Sequence, residues 1–116
     1  MISRRELYTI NTVEGYEVEI LGYVKGSVVQ TKHLGKDIAS RFKSLVGGEV
    51  RGYSDMMNEA RQIATERLLK DADELGANAV LGFRLQTSGL MGNAAEIIAY
   101  GTAVKLTKKE HDNNAK

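Results

Sequence analysis

The stretch from Ser54 to Gly82 constrains the fold more than any other part of the chain. Ser54 and Asp55 can cap a helix start, because their side-chain oxygens accept from backbone N–H groups that have no partner within the helix. Apolar residues then recur at Met57, Ala60, Ile63, Ala64, Leu68, Ala72 and Leu75. Spacings of three and four put them on one stripe of a helix. Glu49 to Tyr53 reads as a link before this helix. Gly76 reads as its stop, since glycine accepts the left-handed conformation of a C-terminal cap. A helix from Ser54 to Leu75 rises about 33 Å, and the entropy lost on ordering it exceeds what four large apolar side chains return. It must therefore lie on a sheet.

Three strand regions supply that sheet. Tyr16 to Thr31 alternates Val18 and Ile20 with Glu17 and Glu19, which predicts a buried face and a wet face. Gly22 interrupts the pattern as a bulge would. The region reads as one long bent strand, with a hairpin near Lys25-Gly26-Ser27 as the alternative. Val80 to Thr87 sets Leu81, Phe83 and Leu85 against Gly82, Arg84 and Gln86. Ile97 to Leu106 is apolar on both faces, as a central covered strand is. The Gly- and Ala-rich connection Ser88–Glu96 predicts a hairpin with a long mobile tip. Before these, Tyr8–Ile10 reads as a short strand and Asn11–Gly15 as a turn. A short helix over Asp37–Val46, stopped by Gly47-Gly48, precedes the long one.

The order is strand, helix, strand, strand, an α+β class. It predicts a two-layer, three-stranded, mainly antiparallel sheet with the last strand in the middle and the long helix over one face. Residues 1–107 read as one α/β domain and 108–116 as a polar C-terminal tail. The other face would be open. Ala99, Gly101 and Ala103 are read as small residues on it, and a second copy of the chain is its expected cover. Arg61, beside the core-facing Ala60, is read as a salt-bridge residue at the same interface.

Composition narrows the chemistry. With 116 residues and a net charge of +1, the whole-molecule field favours neither nucleic acid nor a membrane surface. The chain has no cysteine, which removes disulfides, thiolate nucleophiles and thiolate metal sites. No leader-like or membrane-spanning apolar run is present, so a cytoplasmic protein is expected. No Gly-x-Ser-x-Gly turn or nucleophile–base pair stands in the sequence, and a non-enzymatic role is expected. Between Lys25 and Gly52, however, Lys25, Lys32, Lys36, Arg41, Lys43 and Arg51 face only Asp37 and Glu49. Repeated round an oligomer, Lys36, Arg41 and Arg51 would form a basic rim that attracts a small anionic ligand.

Val46-Gly47-Gly48, Tyr53, Ala60-Arg61, the run Leu75-Gly76-Ala77-Asn78-Ala79-Val80-Leu81-Gly82 and Gly101-Thr102-Ala103-Val104 together resemble the YbjQ-like family. This is a group of small uncharacterised bacterial and archaeal proteins that share a heavy-metal-binding label. The resemblance spans roughly residues 8–106. It implies a dodecin-like subunit and a ring-shaped homo-oligomer, a pentamer. It brings no established reaction or substrate, but it does bring a heavy metal as the possible cofactor. Soft metals favour thiolate and thioether donors. Here the candidates shrink to His33, because His111 lies in the polar tail and Met56 and Met57 point about 100° apart on a helix. Any such site needs ligands from several subunits.

Overall fold

The computed structural model describes residues 6–31, 49–90 and 94–110. Strand β1 is Tyr16–Thr31, helix α1 is Glu49–Glu74, strand β2 is Ala79–Leu90 and strand β3 is Ala94–Lys108. The sheet order is β1-β3-β2, antiparallel throughout, so the last strand occupies the centre. This is the α+β, two-layer plan expected from the strand and helix order. The expected short helix over 37–46 and the Gly47-Gly48 turn lie outside the described residues.

Helix α1 begins earlier than the capping residues suggest. Glu49 to Tyr53 is helical rather than a link, and Ser54 and Asp55 fall inside the helix. The chain contains no proline to force a later start, and the single Gly52 costs only about 1 kcal/mol. The stripe itself holds: Ala60, Ala64, Leu68 and Ala72 are fully buried and Met57 nearly so. Leu75 does not belong to it. It stands in the turn after the helix and is 45% exposed. The stop is at Gly76, whose φ of +79° suits only a residue free of a Cβ penalty. Gly76 N–H donates to the Asp73 carbonyl at 3.0 Å and Ala77 N–H to the Ala72 carbonyl at 3.1 Å, the paired bonds of a Schellman cap.

The helix sits close to the sheet because both surfaces are small. An added Cβ at Gly26 on β1 would overlap the Ala64 carbonyl oxygen and the Leu68 nitrogen. Across the ladder, Ile97, Ala99 and Ala103 of β3 and Val80 of β2 are fully buried and join the same core as Val24 and Leu68. Ala99, Gly101 and Ala103 therefore lie beneath the helix and not on the open face expected for them. Small residues at a helix–sheet crossing let two backbones approach; their size marks the close contact rather than a missing partner.

Two one-residue bulges decide which face each strand half presents. In β1 the register steps between Ile20 and Gly22, as the glycine suggested, and β1 is one bent strand. An extra residue inverts the side-chain alternation beyond it. Val24, Gly26 and Val28 point to the helix, while Val18 and Ile20 point to the opposite face and are 38% and 72% exposed. The expectation that Val18 and Ile20 are core fails for this reason. In β2 a second step falls between Leu81 and Arg84. It puts Leu81 on the outer face with Ala79 and Val104, and leaves Phe83 half-buried and Leu85 exposed on the helix side. The hairpin is also longer than expected: Ser88, Gly89 and Leu90 pair with Glu96, Ala95 and Ala94, which continues the ladder and satisfies backbone groups a loop would leave open. Only residues 91–93 of the expected tip remain, outside the described residues.

The N-terminal segment lies along the free edge of β2. Leu7 bridges Val80 in parallel, Tyr8 N–H donates to the Val80 carbonyl at 2.9 Å, and Phe83 N–H and Gly82 N–H donate to the Tyr8 and Ile10 carbonyls. Tyr8 and Val13 then pack on Ala79, Leu81 and Val104. Gly15, with φ of +87°, turns the chain into β1.

Candidate interaction surfaces

Helix α1 packs mainly on β1 and β3 and barely touches β2. The stand-off opens a groove of about 510 Å³ on the helix side of β2. One wall is apolar, made by Leu7, Phe83 and Leu85; the other is the polar flank of α1, made by Asn58, Arg61, Gln62 and Thr65. Among the described residues, Arg61 is the charged member of this lining. Its guanidinium donates to Asn58 Oδ1 at 2.8 Å, which orients it one turn along the helix. Thr65, nearly buried, donates through Oγ1 to the Arg61 carbonyl at 2.8 Å, and Gln62 donates to Glu66 at 3.3 Å. A cation beside an apolar wall, in a volume of this size, suits a group that is apolar on one side and anionic on the other.

The outer face of the sheet is the second surface. Beyond the patch covered by Tyr8 and Val13 it carries Tyr16, Val18, Ile20, Tyr23 and Val29, each more than a third exposed. A shallow hollow of about 160 Å³ runs between Asn11, Ile20 and Thr102 on this side. The first half of β1 is wet on both faces, because α1 ends near Gly22 and the exposed Glu17 and Glu19 extend past it.

β1 is also an edge strand, and half of that edge is sealed. Lys25 N–H donates to Asp71 Oδ2 at 3.3 Å, and the Ser27 carbonyl accepts from the Arg67 guanidinium at 2.6 Å. Helix side chains thus occupy the outward backbone groups where another strand would pair. Toward Tyr16 the edge has no such cover among the described residues.

Of the residues flagged in the sequence, Arg61 is brought to a groove, and Ala99, Gly101 and Ala103 are buried under α1. Lys36, Arg41 and His33 lie outside the described residues, as does the side chain of Arg51 in the first turns of α1. The residues the sequence reading did not pick out are Phe83 and Leu85 on the groove wall and Ile20 on the outer face. The available signal was Gly82: a glycine within a strand pattern marks a bulge, and a bulge moves its neighbours to the other face.

A resident metal finds little to hold it. Among the described residues no group of three His, Cys, Asp or Glu side chains converges as a metal site would require, and the whole chain has no cysteine. The donor chemistry does not fit a soft heavy metal. Nor, among the described residues, is any helix long and apolar enough to cross a membrane.

Comparison with known proteins gives a consistent set. A family model described as "Putative heavy-metal-binding", YbjQ_1, matches residues 6–107. A UPF0145 protein of Halalkalibacterium halodurans is 60% identical over 104 residues, covering 89% of this chain and 98% of that protein. A UPF0145 protein of Thermotoga maritima is 60% identical over 101 residues, covering 86% of this chain and 95% of that protein. Among solved structures, a DUF74-family protein of unknown function from Pediococcus pentosaceus matches with a TM-score of 0.59 and 19% identity, over 87% of this chain and 96% of that one. At that identity the likeness concerns the fold.

Proposed function

This chain belongs to the YbjQ-like family of UPF0145 proteins, and on that premise we propose that it is a ring-forming, non-enzymatic homo-oligomer that holds a small ligand or partner at its pore or between its subunits. The ring is a cytoplasmic pentamer in this reading, and the ligand is a small anion drawn by the rim of Lys36, Arg41 and Arg51. One observation carries the assembly half. The outer sheet face exposes Ile20 at 72%, Tyr23 at 66% and Val29 at 43% on a single small subunit. Large apolar side chains exposed to this degree are costly in water and favour an association site. The heavy-metal reading in the family description has no donor set among the described residues and would need ligands, His33 included, from several chains.

Native mass spectrometry on gently purified protein tests the proposal. The expected spectrum is a multiple of 12.7 kDa, with extra mass that identifies the ligand class. A monomer at micromolar concentration would remove the proposal. Binding of phosphate that survives Lys36→Glu with Arg41→Glu would remove the basic-rim part alone.

A further inference from the structure

The two surfaces described above are unlike each other, and they match. The groove has an apolar wall of Leu7, Phe83 and Leu85 facing a polar helical wall that carries Arg61. The open half of β1 has the complementary two-sided pattern. Tyr16, Val18 and Ile20 lie on one face and the carboxylates of Glu17 and Glu19 on the other, at a sheet edge that no helix side chain seals among the described residues. Inserted edge-first, such a strand sets its apolar face on the apolar wall and its carboxylates toward the guanidinium. An arginine oriented by Asn58 at 2.8 Å is well placed for a two-pronged bond to a carboxylate.

We infer that the edge strand Tyr16–Ile20 of one copy seats in the groove between α1 and β2 of the next, with Glu17 or Glu19 on Arg61. The contact joins two different patches, so it is head-to-tail, and a head-to-tail contact that closes makes a ring. Face-to-face pairing of two outer sheets would instead make a twofold dimer that covers Tyr23 and Val29 but leaves the groove and Leu85, 41% exposed, open. A single head-to-tail contact covers the groove and the strand together. This inference rests on the ring reading above and gives it a geometry.

Mixing of two defective variants tests it. One carries Arg61→Glu with Leu85→Asp, which spoils the groove; the other carries Val18→Lys with Ile20→Lys, which spoils the strand. All four positions are exposed, so each variant should keep its fold, checked by circular dichroism. Each alone should run as a 12.7 kDa monomer where the wild type is a ring. Mixed in equal amounts, they should form a heterodimer and nothing larger, since one chain offers only a strand and the other only a groove. Either variant retaining the wild-type mass, or a mixture that stays monomeric, overturns the inference and leaves the ring standing. A monomeric wild type overturns both. A second measurement avoids dependence on disruptive changes. The chain lacks cysteine, so in Ile20→Cys with Leu85→Cys every disulfide joins introduced positions, and the Ile20→Cys single variant separates a 20–20 bond from the designed 20–85 bond. On oxidation it should give a ladder of covalent multimers, whereas Ile20→Cys alone should give none. A covalent dimer from Ile20→Cys alone would assign the contact to a twofold pair instead.

Discussion

Gly26→Ala probes the contact on which the two layers depend. A methyl group there would overlap the Ala64 carbonyl oxygen and the Leu68 nitrogen, and would stand 2.8 Å from Arg67 Cβ, where ordinary contact begins near 3.4 Å. Two of these three neighbours are helix backbone and cannot rotate aside. The helix must lift by at least about 0.6 Å, the difference of those two distances. A gap of that size forfeits roughly a quarter to a half of each dispersion contact across it. Leu68, fully buried beside the crossing, makes some 40–60 such contacts at about 0.1–0.2 kcal/mol each. The loss is therefore about 1–6 kcal/mol, which brackets the usual overpacking penalty of about 1–3 kcal/mol. For a domain of this size it lowers the melting temperature by roughly 4–24 °C. Differential scanning calorimetry at fixed protein concentration measures it, with Gly89→Ala as control, since nothing stands within 4 Å of a Cβ there. A Gly26→Ala melt within two or three degrees of the control would mean that α1 is not seated on β1 at this glycine, and the account of the core would fall with it.

Three further outcomes follow from the same structure. Gly76→Ala should cost about 1–2 kcal/mol in urea denaturation because φ is +79°, with Gly76→Asn recovering part of the loss; equal midpoints for all three would refute the cap. Arg67→Ala with Asp71→Ala should leave circular dichroism unchanged but open the sealed edge at Lys25 and Ser27, so aggregation monitored by light scattering should accelerate; unchanged aggregation would show that those bonds protect nothing. Wild type and His33→Ala should retain equal amounts of zinc or copper after gel filtration, read by elemental analysis, and a metal lost only in the variant would make His33 a ligand.

Much of the architecture was legible in the sequence because its signals are local. The Met57–Ala72 stripe, the stop at Gly76 and the two-sided apolar character of Ile97–Leu106 each report on burial directly, and together they predict the central last strand. The faces were harder to read. Gly22 was recognised as a bulge, yet its effect on Val18 and Ile20 depends on counting the extra residue through the pairing with β3, which is a long-range fact. Gly82 hid the same inversion for Leu81 and Leu85. The small residues Ala99, Gly101 and Ala103 were equally compatible with a helix pressed close or a partner subunit; the burial of Ala99 and Ala103 in one core with Ala64 and Leu68, and the approach of Ala64 to Gly26, decide for the helix. The groove was not legible at all. It exists because α1 lies off-centre, and no periodicity within one element encodes where that element sits across a sheet.

The central place of β3 also governs when the protein can begin to exist. A chain is made from its N-terminus, and β1 is finished long before anything can pair with it: its partner for Tyr16 is Lys108. Until then Val24 and Val28 have no ladder to hold them. β2 and β3, adjacent in sequence and paired antiparallel, can close as a hairpin within microseconds once both are out. β1 must then find that hairpin across a long sequence separation that includes α1, the slower kind of step. Through most of its synthesis the molecule is thus a strand in waiting, and its exposure to proteases and chaperones is set by how fast the last strand arrives.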